Sequence, residues 1–182
     1  MNEVVETIYS KLKKQNMKAR IVLIQRLKDL HEEIENRHSQ GLFDEDFYRE
    51  GMSFYSFRPP DGFQAKSLIV AAVPRPQTKV GFTWKEKTLT LTLPPTYMGS
   101  IEIDKEMKTR LTTWLGPVGY RVVQAKLPRK LLAVRSGLAE YGRNNVAYVP
   151  GMGSFFQPTV FFSDLPIPGD TWSEPRMMDR CE

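Results

Sequence analysis

The first 40 residues place apolar side chains at steps of three and four, which is the spacing of amphipathic helices. The first predicted helix carries on one face Val4, Val5, Ile8, Tyr9 and Leu12. A second predicted helix has Leu27 and Leu30 on its apolar face and ends at Gly41. The pattern therefore predicts a pair of N-terminal helices within residues 1–41, followed by one more helical turn at Asp44–Glu50.

A period of two replaces the helical spacing after residue 66, as expected for β-strands. The apolar run Ser67–Val73 predicts a buried strand, and Lys79–Trp84 with Thr88–Leu93 predicts a hairpin. Shorter strands are predicted at Tyr120–Val123, Val146–Val149 and Thr159–Phe162.

Two further helices are predicted between these strands. Asp104 is a suitable N-cap for a helix that ends at Gly116-Pro117. Pro128 suits the first turn of another helix, which Gly137 would end. The whole pattern predicts an α/β domain of the α+β layered-sandwich type, in which a sheet of mixed strand directions is flanked by helices.

The composition excludes two classes of protein. With 41% hydrophobic and 26% charged residues among 182, the chain is neither a disordered segment nor a membrane protein. No apolar run approaches the roughly 20 residues that span a bilayer, and the N-terminus lacks the apolar core of a signal peptide. Since Cys181 is the only cysteine, no internal disulfide can form, and we expect a cytoplasmic protein.

The net charge of +5 is concentrated in one segment. Between residues 121 and 145, Glu140 is the only acid, and the basic residues are Arg121, Lys126, Arg129, Lys130, Arg135 and Arg143. Such a segment either binds an anion or forms a solvated helix face, and the charge pattern leaves both interpretations open.

The loop Gly137–Asn144 has two glycines at the spacing of a phosphate-binding P-loop. It ends in Arg143-Asn144 in place of Lys-Ser or Lys-Thr, and a helix precedes it where a P-loop requires a strand. These differences exclude a nucleoside triphosphatase. The loop is either a binding site for an anion or a polar cofactor rim, or an ordinary helix-to-strand connection.

The titratable residues do not reveal a catalytic group. His31 and His38 are seven positions apart on one predicted helix, about 10 Å along its axis, which is too far for a shared metal. Ser10, Ser136 and Ser154 have no further histidine near them in sequence, so nothing supports a serine hydrolase triad. The catalytic residues therefore remain unknown at this level.

Two segments resemble the epoxyqueuosine reductase-like family. Residues 130–144 resemble its helix-Arg-Ala-Gly-Leu-Gly-x-x-Gly-Lys-Asn motif, and residues 151–165 resemble its Gly-Ser-aromatic turn with the strand that follows. Ser67–Pro74 is a weaker match. The resemblance implies a nitroreductase-like, cobalamin-binding domain over residues 42–178, related to the corrinoid domain of reductive dehalogenases.

The resemblance also implies the positions of the cofactors. The corrinoid site would be formed by Tyr97, Gly137, Leu138, Gly142, Arg143, Asn144, Gly153 and Ser154. Family members continue into a ferredoxin-like module with two 4Fe-4S clusters. Residues 179–182 would then be the stub of that module, and Cys181 its first metal ligand. The expected partners are the corrinoid, the iron–sulfur electron donor and transfer RNA.

One departure from the family concerns the reaction. Where epoxyqueuosine reductases carry an aspartate general acid, this chain has Gln124, which donates hydrogen bonds but does not supply a proton. The cluster of Lys126, Arg129 and Lys130 is expected to meet the cofactor's phosphate or a nucleic acid. Alternatives to a cobalamin-dependent, iron–sulfur-coupled reductase are a corrinoid-binding or trafficking module without turnover and a flavin-binding nitroreductase relative.

Overall fold

The computed structural model describes residues 3–94 and 99–179. Its α-helices are α1 (Glu3–Lys13), α2 (Arg26–Ser39), α3 (Glu45–Ser53), α4 (Ser100–Leu115) and α5 (Arg129–Arg135). Its strands are β1 (Lys18–Leu23), β2 (Ser67–Pro74), β3 (Thr78–Trp84), β4 (Lys87–Leu93), β5 (Val122–Gln124), β6 (Glu140–Tyr141), β7 (Ala147–Tyr148) and β8 (Phe156–Ser163). Among the described residues, no helix combines the length and apolar character that crossing a bilayer requires.

The main sheet has the strand order β1-β2-β8-β5, and every neighbouring pair in it is antiparallel. Ile69 of β2 lies opposite Ile21 of β1 on one side and Phe161 of β8 on the other. The prediction of mixed strand directions was therefore wrong. Neighbours in this sheet are distant in sequence, so the local pattern carries no information about the direction in which each strand returns.

The central strand β2 is buried on both faces, and this divides the core into two layers. On one face, Ile69 and Ala71 pack with α1 and α4 through Ile8 and Leu111. On the other face, Leu68, Val70 and Ala72 of β2 pack with Leu30 of α2 and Leu132 of α5. The predicted α+β layered sandwich is confirmed.

Strand β1 lies between the two N-terminal helices and was missing from the prediction. Its pairing with β2 makes it an edge strand of the main sheet and joins residues 1–41 to the rest of the core. The alternation in β1 is weak, because Ile21 and Val22 are both buried, on opposite faces of the sheet. An apolar pair of this kind shows no period of its own, so the sequence pattern assigned it to no element.

The predicted hairpin is confirmed as β3 and β4, which pair only with each other in the described sheets. Its turn is the dipeptide Lys85-Glu86, with φ angles of 45° and 62°. Positive φ at both central residues gives the right-handed twist of a two-residue hairpin turn. Phe82, Trp84 and Leu91 on this hairpin are exposed, so its apolar face is not part of the core.

Asp104 does not cap a helix, as the sequence analysis expected. Helix α4 begins at Ser100, so Asp104 lies inside it and is 7% exposed. Its carboxylate accepts hydrogen bonds from Arg129 Nη2 at 2.7 Å and Gln124 Nε2 at 2.8 Å. Asp104 therefore joins α4 to β5 and α5.

Candidate functional site

The glycine loop begins where helix α5 ends. Gly137 has a φ of +71°, and its N–H donates to Val134 O at 2.9 Å, so it ends the helix as predicted. A Cβ at this position would lie 3.5 Å from Thr171 O, in the C-terminal segment. Leu138 follows and is buried in the core at 3% exposure. These two residues therefore face the protein's own interior and tail.

Gly142 lies against the ring of Tyr148. A Cβ on Gly142 would be 2.6 Å from Tyr148 Cε2 and 2.9 Å from Asn144 Oδ1, closer than van der Waals contact allows. Asn144 Oδ1 accepts from Val146 N at 3.1 Å, and its Nδ2 donates to Tyr148 Oη at 3.2 Å. Gly142 and Asn144 thus shape the β6–β7 turn, on which Arg143 is exposed.

A second glycine turn follows β7. Two reciprocal hydrogen bonds close the turn. Val149 N donates to Gly153 O at 3.0 Å, and Gly153 N donates to Val149 O at 2.9 Å. Gly151 and Gly153 adopt φ angles of +70° and +74°. Among the described residues, no heavy atom beyond its immediate neighbours lies within 4 Å of a Cβ built on Gly153, so this glycine borders open space there. Ser154, the next residue, is half-buried.

The two glycine segments meet at one pocket of about 520 Å³. Its lining includes Glu140, Tyr148, Gly151, Gly153, Met178 and Asp179. Tyr148 connects the segments, because its ring packs on Gly142 while it also lines the pocket. We call this cavity the glycine pocket. Of the predicted site residues, Gly153 lines it directly.

The C-terminal tail closes this region, and no pattern in the sequence predicted its role. Tyr141 N donates to Arg176 O, and Met178 N donates to Tyr141 O, each at 2.8 Å. Thr171 Oγ1 donates to Ser136 O at 2.6 Å, beside the start of the loop. These bonds hold the irregular C-terminal segment against β6, and this packing brings Met178 to the pocket.

The predicted basic cluster is divided between different partners. Arg129 is paired with Asp104 at 2.7 Å and is thereby committed to the fold. Lys130 Nζ donates to Asn145 O at 3.1 Å and lies 5.6 Å from the centre of the Tyr141 ring. Burial raises the pKa of Tyr141, so this ring is a neutral phenol at pH 7. Lys126 is exposed.

Two predicted site residues, Tyr97 and Cys181, lie outside the described residues. In the described part of the chain, no three His, Cys, Asp or Glu side chains gather into a group that fits a metal ion. The two histidines instead stack on aromatic rings, His31 on Phe57 and His38 on Tyr48.

Comparison with known proteins gives a likeness of fold. The solved structure of epoxyqueuosine reductase from Streptococcus thermophilus superposes with a TM-score of 0.62 and 18% sequence identity. The alignment covers 100% of this chain and 50% of that chain. No family model and no curated protein sequence matches this chain. At this identity the likeness establishes the fold, which the chain shares with about half of that reductase.

Proposed function

We propose that this chain is the corrinoid-binding domain of a reductase of the epoxyqueuosine reductase type. The observation that carries the proposal is a fold shared over the whole chain with half of such a reductase, together with a pocket where the two glycine segments meet. The same proposal includes the nitroreductase-like variety of the α+β fold, an end of the domain at residue 178 and a cytoplasmic location.

The residues of the glycine pocket fit the edge of a flat, polar-rimmed cofactor. Its volume of about 520 Å³ lies within the range of roughly 300–1,000 Å³ that ligand pockets occupy. The open space beside Gly153 would admit the cofactor, and the exposed Arg143 and Asn144 would contact its polar rim. A bound cobalamin would supply the redox chemistry, while the chain would supply position and electrostatics.

The described residues do not fit an iron–sulfur cluster, because they contain no suitable group of ligands. We therefore propose that electrons reach the corrinoid from a separate iron–sulfur module. The exposed Lys126 and Lys130 are the cations left for a cofactor phosphate or for transfer RNA, since Arg129 is paired with Asp104.

A specific observation favours a second function, corrinoid binding without turnover. Gln124 is not free to act on a substrate, because its Nε2 donates to Asp104 at 2.8 Å. The Asp104 carboxylate in turn accepts hydrogen bonds from Arg129 through both oxygens, at 2.9 and 2.7 Å. A carboxylate engaged as an acceptor on both oxygens is poorly arranged to deliver a proton.

A titration of the chain with hydroxocobalamin, followed by absorbance and tryptophan quenching, tests the proposal. We expect micromolar binding, weakened about tenfold or more by Gly153→Asn, because the new side chain enters the open side of the pocket. Asparagine tolerates positive φ, so the backbone turn is kept. Gly62→Asn is the matched control, since Gly62 has a φ of +75° and open surroundings in a different loop.

The outcome distinguishes the candidate functions. Absence of binding to folded protein, or equal loss in both variants, contradicts a corrinoid site at the glycine pocket. A bound cobalamin that strong chemical reductants reduce supports the reductase, and one that resists reduction supports the binding module. A protein that purifies yellow and binds flavin in place of cobalamin indicates the nitroreductase relative.

A further inference from the structure

A groove runs along the outer edge of strand β1. It consists of two pockets of about 560 Å³ each, which share Tyr9 and Arg20 and are therefore continuous. The first pocket extends from Tyr9 towards Gly151, and the second extends towards Asp170. We call the first one the β1 pocket.

The β1 pocket has a one-sided charge. Lys13, Lys18 and Arg20 line it, and none of the described residues that line it is acidic. The nearest carboxylate in the continuous groove, Asp170, is already occupied by Arg26 Nε at 3.1 Å and Leu23 N at 2.9 Å. Three cations around a concave surface without an anion attract a negatively charged ligand.

Hydrogen-bond donors in the β1 pocket are left without acceptors. Arg20 Nη1 donates to Ala19 O at 3.2 Å, but the buried Nε–H of Arg20 has no acceptor among the residues that the structure describes. Tyr9 Oη accepts from Ile21 N at 3.2 Å, which leaves its own O–H proton to donate. Burial raises the pKa of Tyr9, so the phenol keeps that proton at pH 7.

Apart from these groups and Asn16, the lining of the β1 pocket is largely apolar. Met17, Pro74 and Met152 cover the wall between the cations, and the thioether side chains adapt to flat ligands. Lys18 also donates through Nζ to Pro150 O, which fixes the ammonium at the mouth of the pocket. The β1 pocket therefore combines an apolar wall with a cationic rim.

We propose that the β1 pocket binds a small organic anion, either a phosphate monoester or a carboxylate, with a flat apolar body. The anionic group lies between Lys13, Lys18 and Arg20, and the apolar body lies against Met17 and Met152. The β1 pocket adjoins the glycine pocket at Gly151, which lines both, but its three cations and its apolar wall do not line the glycine pocket. The inference does not rest on the proposed corrinoid function.

Isothermal titration calorimetry with 1-naphthyl phosphate as the probe tests this site, with 1-naphthol and inorganic phosphate as partial probes. We expect 1-naphthyl phosphate to bind at least about tenfold more tightly than either partial probe. The reason is that 1-naphthol lacks the anionic group and inorganic phosphate lacks the apolar body. Naphthol binding as tightly as its phosphate, or no binding to folded protein at millimolar concentration, would overturn the proposal.

A matched pair of isosteric variants locates the site. Asn16→Asp puts a carboxylate on the lining of the β1 pocket, and aspartate tolerates the φ of +56° at this position. We expect it to weaken 1-naphthyl phosphate about fivefold or more, since two like charges about 4 Å apart repel by roughly 1 kcal/mol even in water. Asn36→Asp on helix α2 changes the net charge equally and should leave binding within about twofold.

Arg20→Gln provides a second test should Asn16→Asp disturb the turn. It removes the guanidinium whose buried Nε–H has no acceptor among the described residues, and it should weaken binding about tenfold with an unchanged circular dichroism spectrum. Equal weakening in the Asn36→Asp control would show that the probe senses diffuse surface charge, and would contradict a site at β1.

Discussion

Gly142 has the tightest surroundings of the glycines in this chain, because any Cβ there would overlap the Tyr148 ring. The requirement is purely steric, since Gly142 does not have a positive φ. The resemblance had assigned this glycine to the wall of a cofactor site. The close contacts with Tyr148 and Asn144 already explain why the turn requires a glycine here, and the cofactor role remains a prediction.

A double-mutant cycle measures this steric requirement. We expect Gly142→Ala to lower the free energy of unfolding by about 1–3 kcal/mol, the usual cost of overpacking. In a Tyr148→Ala background the same change should cost less than about 1 kcal/mol, because the ring is gone and the Asn144 side chain can move aside.

Urea unfolding gives both values, and Gly81→Ala is the control. Gly81 has open surroundings and no positive φ, so a methyl group there should be nearly neutral. An equal cost of Gly142→Ala with and without the ring would mean that Tyr148 is not what excludes the side chain.

Among the elements, the β3–β4 hairpin is the one that contributes least to the core. Opposite residues in the register share a face, so Val80, Phe82 and Trp84 line up with Leu91, Leu89 and Lys87. Phe82 and Trp84 are 42% and 62% exposed. Truncating such side chains should lower the free energy of unfolding only slightly, because they bury little apolar area.

The same substitution at two tryptophans tests this assignment. Trp84→Ser should change the free energy of unfolding by no more than about 0.5 kcal/mol. Trp114→Ser should cost at least about 1 kcal/mol, because Trp114 packs on the core between α1 and α4. Comparable losses at the two positions in urea titrations would show that the hairpin packs on the domain in solution.

Prediction from sequence worked for elements with a strong period and failed for those set by tertiary contacts. Strand β2 and the hairpin follow from long apolar or alternating runs, and the end of α5 follows from Gly137. Strand β6 is two residues long, too short for any period to be visible. Asp104 has the chemistry of a helix cap, but its partner Arg129 is 25 residues away in sequence and was not foreseeable.

The candidate site was foreseeable to the same limited extent. Gly153 was identified from its glycine-rich turn, and it lines the glycine pocket. Tyr148 and Met178 carried no signal, since one is an isolated aromatic residue in a short strand and the other belongs to an irregular tail. Residues that reach a site only through the folding of distant segments leave no local pattern.

At the scale of the whole molecule, the two core layers share strand β2 and should unfold together. Leu30→Ala on one face and Leu111→Ala on the other each remove a fully buried side chain. We expect each to cost about 2–5 kcal/mol, and the costs to add in the double variant because the sites are on opposite faces of the sheet.

Far-UV circular dichroism and tryptophan fluorescence should report the same single urea transition in the parent chain and in both variants. Leu42→Ala is the control, because Leu42 is 64% exposed and its truncation should be nearly silent. Two separate transitions, one sensitive to each variant, would mean that the layers are independent folding units.

The outer edge of β1 also bears on how copies of this molecule behave towards each other. Ile21 N and Leu23 N point away from the sheet, and each is already bonded to a side chain, Tyr9 and Asp170 respectively. A strand from another copy would have to displace both before it could extend the sheet. At the opposite edge, β5 offers only three residues. The four-stranded sheet is therefore protected at both edges, and a second copy should not extend it by strand pairing.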